Sequence, residues 1–263
     1  MEHLIDLGRF ASLSVTGAVV GLAVGLTGVG GGSLMTPALI SIFRVSPIMA
    51  IGTDLAFAAA TKTAGLIAHR RSGRIQWRVA ALMIAGSVPA CLCALAWMRY
   101  LEVTSPAPTT AWLIQHALGV ALLATAFSLA FREQLSRWIK PVPQKYQAAT
   151  ALICSAFIGA LVAFSSIGAG AIGCTVLALI FRDLDTHDIA ATDIAYAIPL
   201  TTIAAAGHAW AGHVDFILLA ALLLGSVPAI YFGVRLSQHI SKVLSRNLLT
   251  GVLLLAATKS LLS

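Results

Sequence analysis

Two carboxylates, one ammonium and two glycine-rich runs are the groups best placed to do chemistry in this otherwise apolar chain. Asp54 follows Thr53 and Asp193 follows Thr192, each a few residues into a long apolar stretch. A carboxylate at the centre of a bilayer costs about 2.5–3.5 kcal/mol on insertion scales, so one that is kept there faces protein or a water-filled cavity. Burial disfavours the charged form, which suits a group that takes up and releases a proton. Helix capping or an ion pair near the water boundary would account for the same residues without transport. Lys62 is a cation well inside an apolar stretch, eight positions and therefore about two turns from Asp54 on the same helix face. It could supply positive charge to an anion, or serve as a structural partner of Asp54 or Asp193.

The glycine run is Thr27-Gly28-Val29-Gly30-Gly31-Gly32-Ser33, and its counterpart is Ser165-Ser166-Ile167-Gly168-Ala169-Gly170-Ala171. Glycines let a helix break and let backbones approach closely. Where a helix restarts after the break, its free N–H groups and dipole favour an anion. The expected substrate-binding set is therefore Thr27, Gly28, Gly30, Gly31, Gly32, Ser33, Thr53, Lys62, Ser165, Ser166, Gly168, Gly170 and Thr192. Asp54 and Asp193 are the expected proton-coupling pair. Tight packing of small residues between membrane helices is the alternative use of such glycines. A dinucleotide-binding reading fails, because no strand precedes either run.

These groups recur because the chain is written twice. Gly52-Thr53-Asp54 returns as Ala191-Thr192-Asp193, and Gly86-Ser87-Val88-Pro89-Ala90 returns unchanged as Gly225-Ser226-Val227-Pro228-Ala229, both 139 positions later. Earlier in each half the offset is 138: Gly21 pairs with Gly159, Gly30 with Gly168 and Gly32 with Gly170. Lys62 breaks the pattern, since its partner is Thr201. Repeated halves in a polytopic chain place the site between them.

Composition says where those halves sit. Hydrophobic residues make up 59% of the 263 positions and charged residues only 10%, against about 25% in soluble domains. About ten apolar segments are expected, near 10–27, 33–43, 47–68, 77–98, 111–131, 147–165, 171–181, 187–207, 214–234 and 247–262. The second and seventh fall short of the roughly 20 residues of a full span, and each follows a glycine break. Such paired short segments point to a transporter's binding site. The fold expected is an all-α polytopic membrane protein of two five-segment repeats, each with a broken or re-entrant segment. The first repeat would cover 1–135, a basic linker 136–146 and the second repeat 147–263.

Basic residues orient the chain. Arg70, Arg71, Arg74, Arg78, Arg132, Arg137, Lys140, Lys145, Arg182, Arg235, Lys242 and Arg246 fall at odd-numbered connections, against Arg9, Arg44, Arg99 and Lys259 at the others. The positive-inside rule places the first set in the cytoplasm and both termini outside. An odd number of segments per half then gives the repeats opposite topology. The net charge of +7 is thereby a topology signal, and a nucleic-acid partner is not expected. Met1–Arg9 carries Glu2 and Asp6, so no cleaved leader is expected. Cys91, Cys93, Cys154 and Cys174 lie in apolar segments and read as small core residues; no metal and no cofactor are expected. His69 and His208 read as polar helix ends, and His213 with Asp215 as a water-boundary pair.

The residues Gly28-Val29-Gly30-Gly31-Gly32, Pro37, Gly52-Thr53, His69, Gly73 and Ile75-Gln76-Trp77, with Gly168, Gly170, Thr192 and Gly212-His213-Val214-Asp215-Phe216 in the second half, resemble the TauE/SafE family of sulfite exporters. The resemblance covers nearly the whole chain. It departs at Ala169 and Ala171, where the family usually has glycine, and at Asp54 and Asp193, where it usually has a small polar residue such as serine. The resemblance implies movement of a small sulfur-containing anion, of the sulfite, sulfonate or thiosulfate class, across a bacterial cytoplasmic (inner) membrane. A secondary carrier, most simply an exporter, is the leading expectation, and a homodimer is compatible with it. A passive anion channel of the same architecture is the alternative. An intramembrane serine hydrolase would need Ser165 or Ser166 beside a base such as His208. No Gly-x-x-x-x-Gly-Lys-[Ser/Thr] motif is present, so energy would come from a gradient or a separate subunit.

Overall fold

A computed structural model describes residues 2–27, 32–68, 75–104 and 107–236. Among the described residues the regular structure is helical throughout: α1 (Glu2–Thr27), α2 (Gly32–Ser41), α3 (Pro47–Ala68), α4 (Trp77–Thr104), α5 (Ala107–Ala130), α6 (Arg132–Trp138), α7 (Gln144–Ser165), α8 (Ala171–Ile180), α9 (Thr186–Trp210) and α10 (Phe216–Leu236). Stretches within α1, α4, α7, α9 and α10 are long and apolar enough to cross a membrane. Val15, Val19, Ile153, Phe157, Ile217, Leu224 and Phe232 point outward, as lipid requires. Trp77 at the start of α4, Trp97 and Tyr100 near its end, and Trp210 at the end of α9 are exposed at helix ends, where aromatic rings favour the headgroup level. Trp77 and Tyr100 are 23 residues apart, about 35 Å of helix, close to the thickness of a bilayer's apolar core.

The element order follows the sequence reading except in the bridge between halves, where Arg132–Trp138 forms the short helix α6. The expected segment at 247–262 lies outside the described residues. α2 and α8 have ten residues each, about 15 Å, half a span.

The halves interlock. α1 packs along α10, α4 along α7, and α3 against α9. Glycines permit this. Gly17, Gly21 and Gly25, spaced four apart on one face of α1, lie against the backbone of Leu222, Ser226 and Ile230 in α10. A Cβ on Gly21 would stand 2.5 Å from the Ser226 carbonyl oxygen, and one on Gly233 would stand 2.6 Å from that of Leu22. The repeat offset carries this seam onto α4 and α7. Gly159 lies on the Ser87 backbone as Gly21 lies on Ser226, and Gly86 meets Leu152 as Gly225 meets Ser14.

α3 and α9, which occupy equivalent places in the repeat, run antiparallel. Gly52 near the start of α3 sits against His208 and His213 at the end of α9. Immediately before α4, the Gln76 amide donates to the Thr192 hydroxyl near the start of α9. α3 also bridges the two main cores. Ile51 and Leu55 join Met83, Ile158, Val162, Leu177, Tyr196 and Leu200. Ala50 and Phe57 join Val20, Val24, Met35, Leu39, Leu222 and Ile230. α3 is thus held on several sides, which fixes the groups it carries.

Candidate functional site

Three elements converge around the buried polar residues of α3: the half-helix α2, the break between α7 and α8, and the crossing helix α9. Asp54 is fully buried. The Thr36 hydroxyl of α2 donates a very short hydrogen bond to Asp54 Oδ2. Asp54 Oδ1 is buried with no hydrogen-bond partner among the described residues. The Ser166 hydroxyl is turned toward this carboxylate without closing a full hydrogen bond. An unpartnered buried polar atom costs about 1–3 kcal/mol, so its presence here asks for an explanation.

Ser166 holds its place at a conformational cost. It ends α7 in the left-handed region, with φ 59° and ψ 2°. A side-chain-bearing residue there is disfavoured by about 1–2 kcal/mol, and the repeat equivalent is Gly28. Gly168 and Gly170 follow at φ 121° and 149°, conformations open to glycine. The break is then closed by its own backbone: the Gly173 amide donates to Gly168 O at 3.1 Å and the Cys174 amide to Gly170 O at 2.8 Å. Ser165 donates back to Leu161 O at 2.7 Å, and the Ile167 amide donates to the Ser165 hydroxyl oxygen.

Lys62, 3% exposed, crosses from α3 to this break. Its Nζ donates to the Ala169 carbonyl at 2.8 Å, a contact between positions 107 apart. Asp193, Cys174 and Asp54 lie within electrostatic reach of it. Asp193 is itself buried, and its Oδ1 and the Tyr196 hydroxyl crowd over Gly173 of α8, where a Cβ would strike both. The site therefore joins one ammonium, two carboxylates and an interrupted helix drawn from both halves.

The threonines beside the carboxylates are engaged elsewhere. Thr53 accepts from the Asp215 amide and Thr192 from the Gln76 amide, each at 3.0 Å. The two bonds are images of each other under the repeat, and they pin the loop after each helix to the opposite half. Gly28, Gly30 and Gly31 lie outside the described residues, as do the side chains of Thr27 and Ser33; Gly32 opens α2.

Sequence reasoning passed over Thr36, Cys174 and Tyr196. The offset of 138 pairs Thr36 with Cys174, and Tyr196 lies one turn from Asp193, so the repeat and helical spacing held the signal. His208 departs from its reading as a polar helix end. It is buried, with Nε2 3.0 Å from the Ala163 carbonyl oxygen, because α9 runs on to Trp210 and packs on α3 and α4. The Ser–His pair that a hydrolase needs is not formed: Ser165 bonds within its own helix, and Ser166 Oγ and His208 Nδ1 have no hydrogen-bond partner among the described residues. Outside the spans, His213 Nε2 lies 3.4 Å from Glu102 Oε1, and Arg99 lies 3.3 Å from Glu102 Oε2. Burial holds His213 below the ordinary histidine range; Glu102 pulls against that shift and Arg99 adds to it.

The sulfite exporter TauE/SafE family model matches residues 13–260. The chain is 32% identical over 253 residues to a probable membrane transporter protein, YjnA, of Bacillus subtilis (strain 168), covering 94% of this chain and 98% of that protein. A second Bacillus subtilis protein, the probable membrane transporter YdhB, is 25% identical over 87% of this chain and 91% of its own. A probable membrane transporter protein of Xylella fastidiosa (strain 9a5c) is 42% identical over 86 residues, which cover 31% of this chain and 33% of its own. No solved structure matches. With its multi-pass helices and this match across nearly its whole length, the chain belongs to the TauE/SafE sulfite exporter family of membrane transporters.

Proposed function

We propose that this membrane transporter is a secondary carrier that moves a small sulfur-containing anion, such as sulfite, thiosulfate or an organosulfonate, across the bacterial cytoplasmic membrane, with protons as the coupling ion. The observation that carries the reading is Lys62, a buried ammonium bonded to the Ala169 carbonyl inside the interrupted segment of the opposite half. A cation placed at a helix break, with Ser166 and the glycine-lined turn around it, is a site for a compact anion. The carbonyl of Ala169 then serves as the stand-in acceptor that an arriving anion displaces. By the sequence repeat, the run Thr27–Ser33 is the first-half counterpart of this break, while Thr53 and Thr192 hold the frame. Two buried carboxylates beside the ammonium are suited to couple anion movement to protonation.

Supporting the topology are the antiparallel run of α3 and α9 and the repeat-related contacts of Thr53 and Thr192. With the positive-inside rule, they support reading the halves as an inverted-topology pair with both termini outside. The family name favours export, and a carrier driven by gradients runs in either direction.

The test is flux in proteoliposomes containing purified protein, across sulfite, thiosulfate, sulfate, sulfoacetate, taurine and matched carboxylates at two pH values. Saturable, counterflow-capable transport of one sulfur anion, faster under an inward proton gradient, is expected. Transport of carboxylates alone would overturn the substrate class, and non-saturating conductance would overturn the carrier.

A further inference from the structure

The hydrophobic cores do not divide the molecule where the sequence repeat divides it. One core gathers α1, α2 and α10 on a face of α3, through Val24, Leu39, Ile230 and Phe57. The other gathers α7, α8, α4 and α9, through Val162, Leu177, Cys91 and Tyr196. Each residue of the second set is the repeat image of one in the first. Val24 pairs with Val162 and Leu39 with Leu177 at the offset of 138; Phe57 pairs with Tyr196 and Cys91 with Ile230 at 139. The two cores are therefore copies, and each borrows a helix from the other half: α10 joins the first and α4 the second. Among the described residues α1, α2 and α10 share a core and pack on α3, with no extended contact to α4, α7, α8 or α9. α5 borders both cores, packed on α7 and α8 and against Leu34 and Ile40 of α2.

Polar contacts follow the same division. In the first body the Ser14 hydroxyl donates to Ala221 O at 2.9 Å, the Asp215 amide to Thr53, and Thr36 to Asp54. In the second the Gln76 amide donates to Thr192, and His208 Nε2 lies 3.0 Å from Ala163 O. The glycine seams lie inside the bodies too, α1 against α10 and α7 against α4, backbone to backbone. A seam without side chains between its backbones has nothing to repack, so it keeps its register. The boundary between the bodies is of another kind. Ile51 and Leu55 of α3 lie among side chains of the second core, an apolar packing of the sort that slides in shear motions. Lys62 crosses that boundary from α3 to Ala169 O at 2.8 Å.

We propose that the moving parts of this carrier are two exchanged bodies, α1–α2–α3–α10 and α4–α7–α8–α9, rather than its sequence halves, and that the Lys62–Ala169 bond ties them together. The site divides along the same boundary: Thr36, Asp54 and Lys62 belong to one body, Ser166, Ala169 and Asp193 to the other. A substrate between them touches both, as alternating access requires. An anion that takes the place of the Ala169 carbonyl at Lys62 breaks the tie, which couples binding to movement.

The release step rests on the anion-carrier reading above; the division into bodies rests on the packing. Val19 of α1, Tyr231 of α10, Leu92 of α4 and Phe157 of α7 are exposed, and Val19 with Phe157 and Leu92 with Tyr231 are repeat images. Cysteines introduced there in pairs carry maleimide-linked gadolinium labels, with Cys93→Ser and Cys154→Ser made and the buried Cys91 and Cys174 kept. Distances are read by pulsed electron resonance in lipid nanodiscs. Val19→Cys/Tyr231→Cys and Leu92→Cys/Phe157→Cys each lie within one body. Val19→Cys/Leu92→Cys and Phe157→Cys/Tyr231→Cys each lie within one half. Saturating sulfite is expected to shift the two within-half distances by about 5 Å, the rise of one helical turn, and to leave the two within-body distances unchanged. Lys62→Ala with no added anion is expected to broaden the same within-half distances. If the within-body distances move while the within-half distances hold, the bodies are overturned and the carrier reading survives. If all four hold in both samples, the bodies are overturned as well, and non-saturating flux in proteoliposomes decides whether the carrier reading falls with them. Movement in Lys62→Ala with none on adding sulfite supports the bodies and overturns sulfite as the anion that frees them.

Discussion

Around Asp54 and Asp193 the molecule offers a comparison of two sites cut from one plan. The frame is copied closely: Thr53 and Thr192 each accept a backbone hydrogen bond at 3.0 Å from the loop after the partner helix, and the glycine seams of α1 on α10 and of α7 on α4 meet equivalent residues. The lining is not copied. One carboxylate accepts from the Thr36 hydroxyl, and the other crowds with the Tyr196 hydroxyl over Gly173 of α8. Symmetry in the backbone is what lets a carrier present one site to two sides in turn. Asymmetry in the side chains is what lets that site hold a net charge. A strictly symmetric pair of aspartates with no lysine would repel an anion; a second lysine at Thr201 would hold one too tightly to release it.

The largest effect should come from breaking the asymmetric half. Lys62→Ala removes the ammonium from Asp193 and from the Ala169 carbonyl together. Truncating one partner of a buried charged contact with a ligand costs about 2–5 kcal/mol, so anion affinity should fall by tenfold or more while the protein still reaches the membrane. Equilibrium binding of sulfite to purified protein measures this, and an unchanged affinity would take Lys62 out of the site. Placing lysine at Thr201 as well, in the Lys62→Thr/Thr201→Lys exchange, sharpens the comparison. If the frame is symmetric, affinity should recover in part, with Asp54 now the paired carboxylate.

The frame itself is open to a matched test. Gly21→Ala would set a Cβ 2.5 Å from the Ser226 carbonyl, and Gly159→Ala would press on the Ser87 backbone at the equivalent seam. Backbone cannot move aside as a side chain can, so each should cost about 1–3 kcal/mol. Thermal unfolding in detergent should show losses of similar size. A large loss at one seam with none at the other would mean that the halves are not held by equivalent contacts.

How far the sequence anticipated this arrangement differs between frame and lining. The frame was legible because it rests on local patterns: apolar length delimits α3, α7, α9 and α10 to within a few residues, and the glycine spacing repeats between the halves. α6 was not legible, since Arg132–Trp138 is basic and polar and reads as a linker. The lining depends on which faces of α2, α3, α8 and α9 meet, and an all-round apolar helix carries no moment to say so. The Lys62–Ala169 bond joins residues 107 apart, and nothing in either segment alone names the other. Ser166 was singled out for its place in a small-residue run; that it adopts a left-handed conformation toward Asp54 is a property of the fold.

Ser166→Gly should give a smaller and two-signed effect. It relieves the left-handed strain of about 1–2 kcal/mol, so thermal stability should rise by up to that amount, less the entropy glycine adds to the unfolded chain. It also gives the second break the residue the first has at Gly28 and removes the hydroxyl turned toward Asp54. Transport should then need a lower pH to reach the same rate. A rise in stability with no change in the pH profile would leave Ser166 as a strained residue without a part in coupling.

The smallest effect belongs to the loop where the halves meet outside the spans. His213 is held below the ordinary histidine range chiefly by burial, and Glu102 only partly offsets this. The folded protein thus binds a proton here less readily than the unfolded chain. Its contribution to stability is complete at pH values above the unfolded histidine pKa of about 6.5 and declines as the pH falls below it, because the unfolded state then takes up the proton first. His213→Gln should flatten the fall in melting temperature between about pH 7 and pH 5 without altering sulfite affinity at pH 7. The first-half counterpart of this residue is Arg74, which carries its charge at every pH in that range. Acid sensitivity at one end of the repeat and none at its image would extend the contrast seen at the carboxylates: a shared backbone that carries different side-chain chemistry in its two halves.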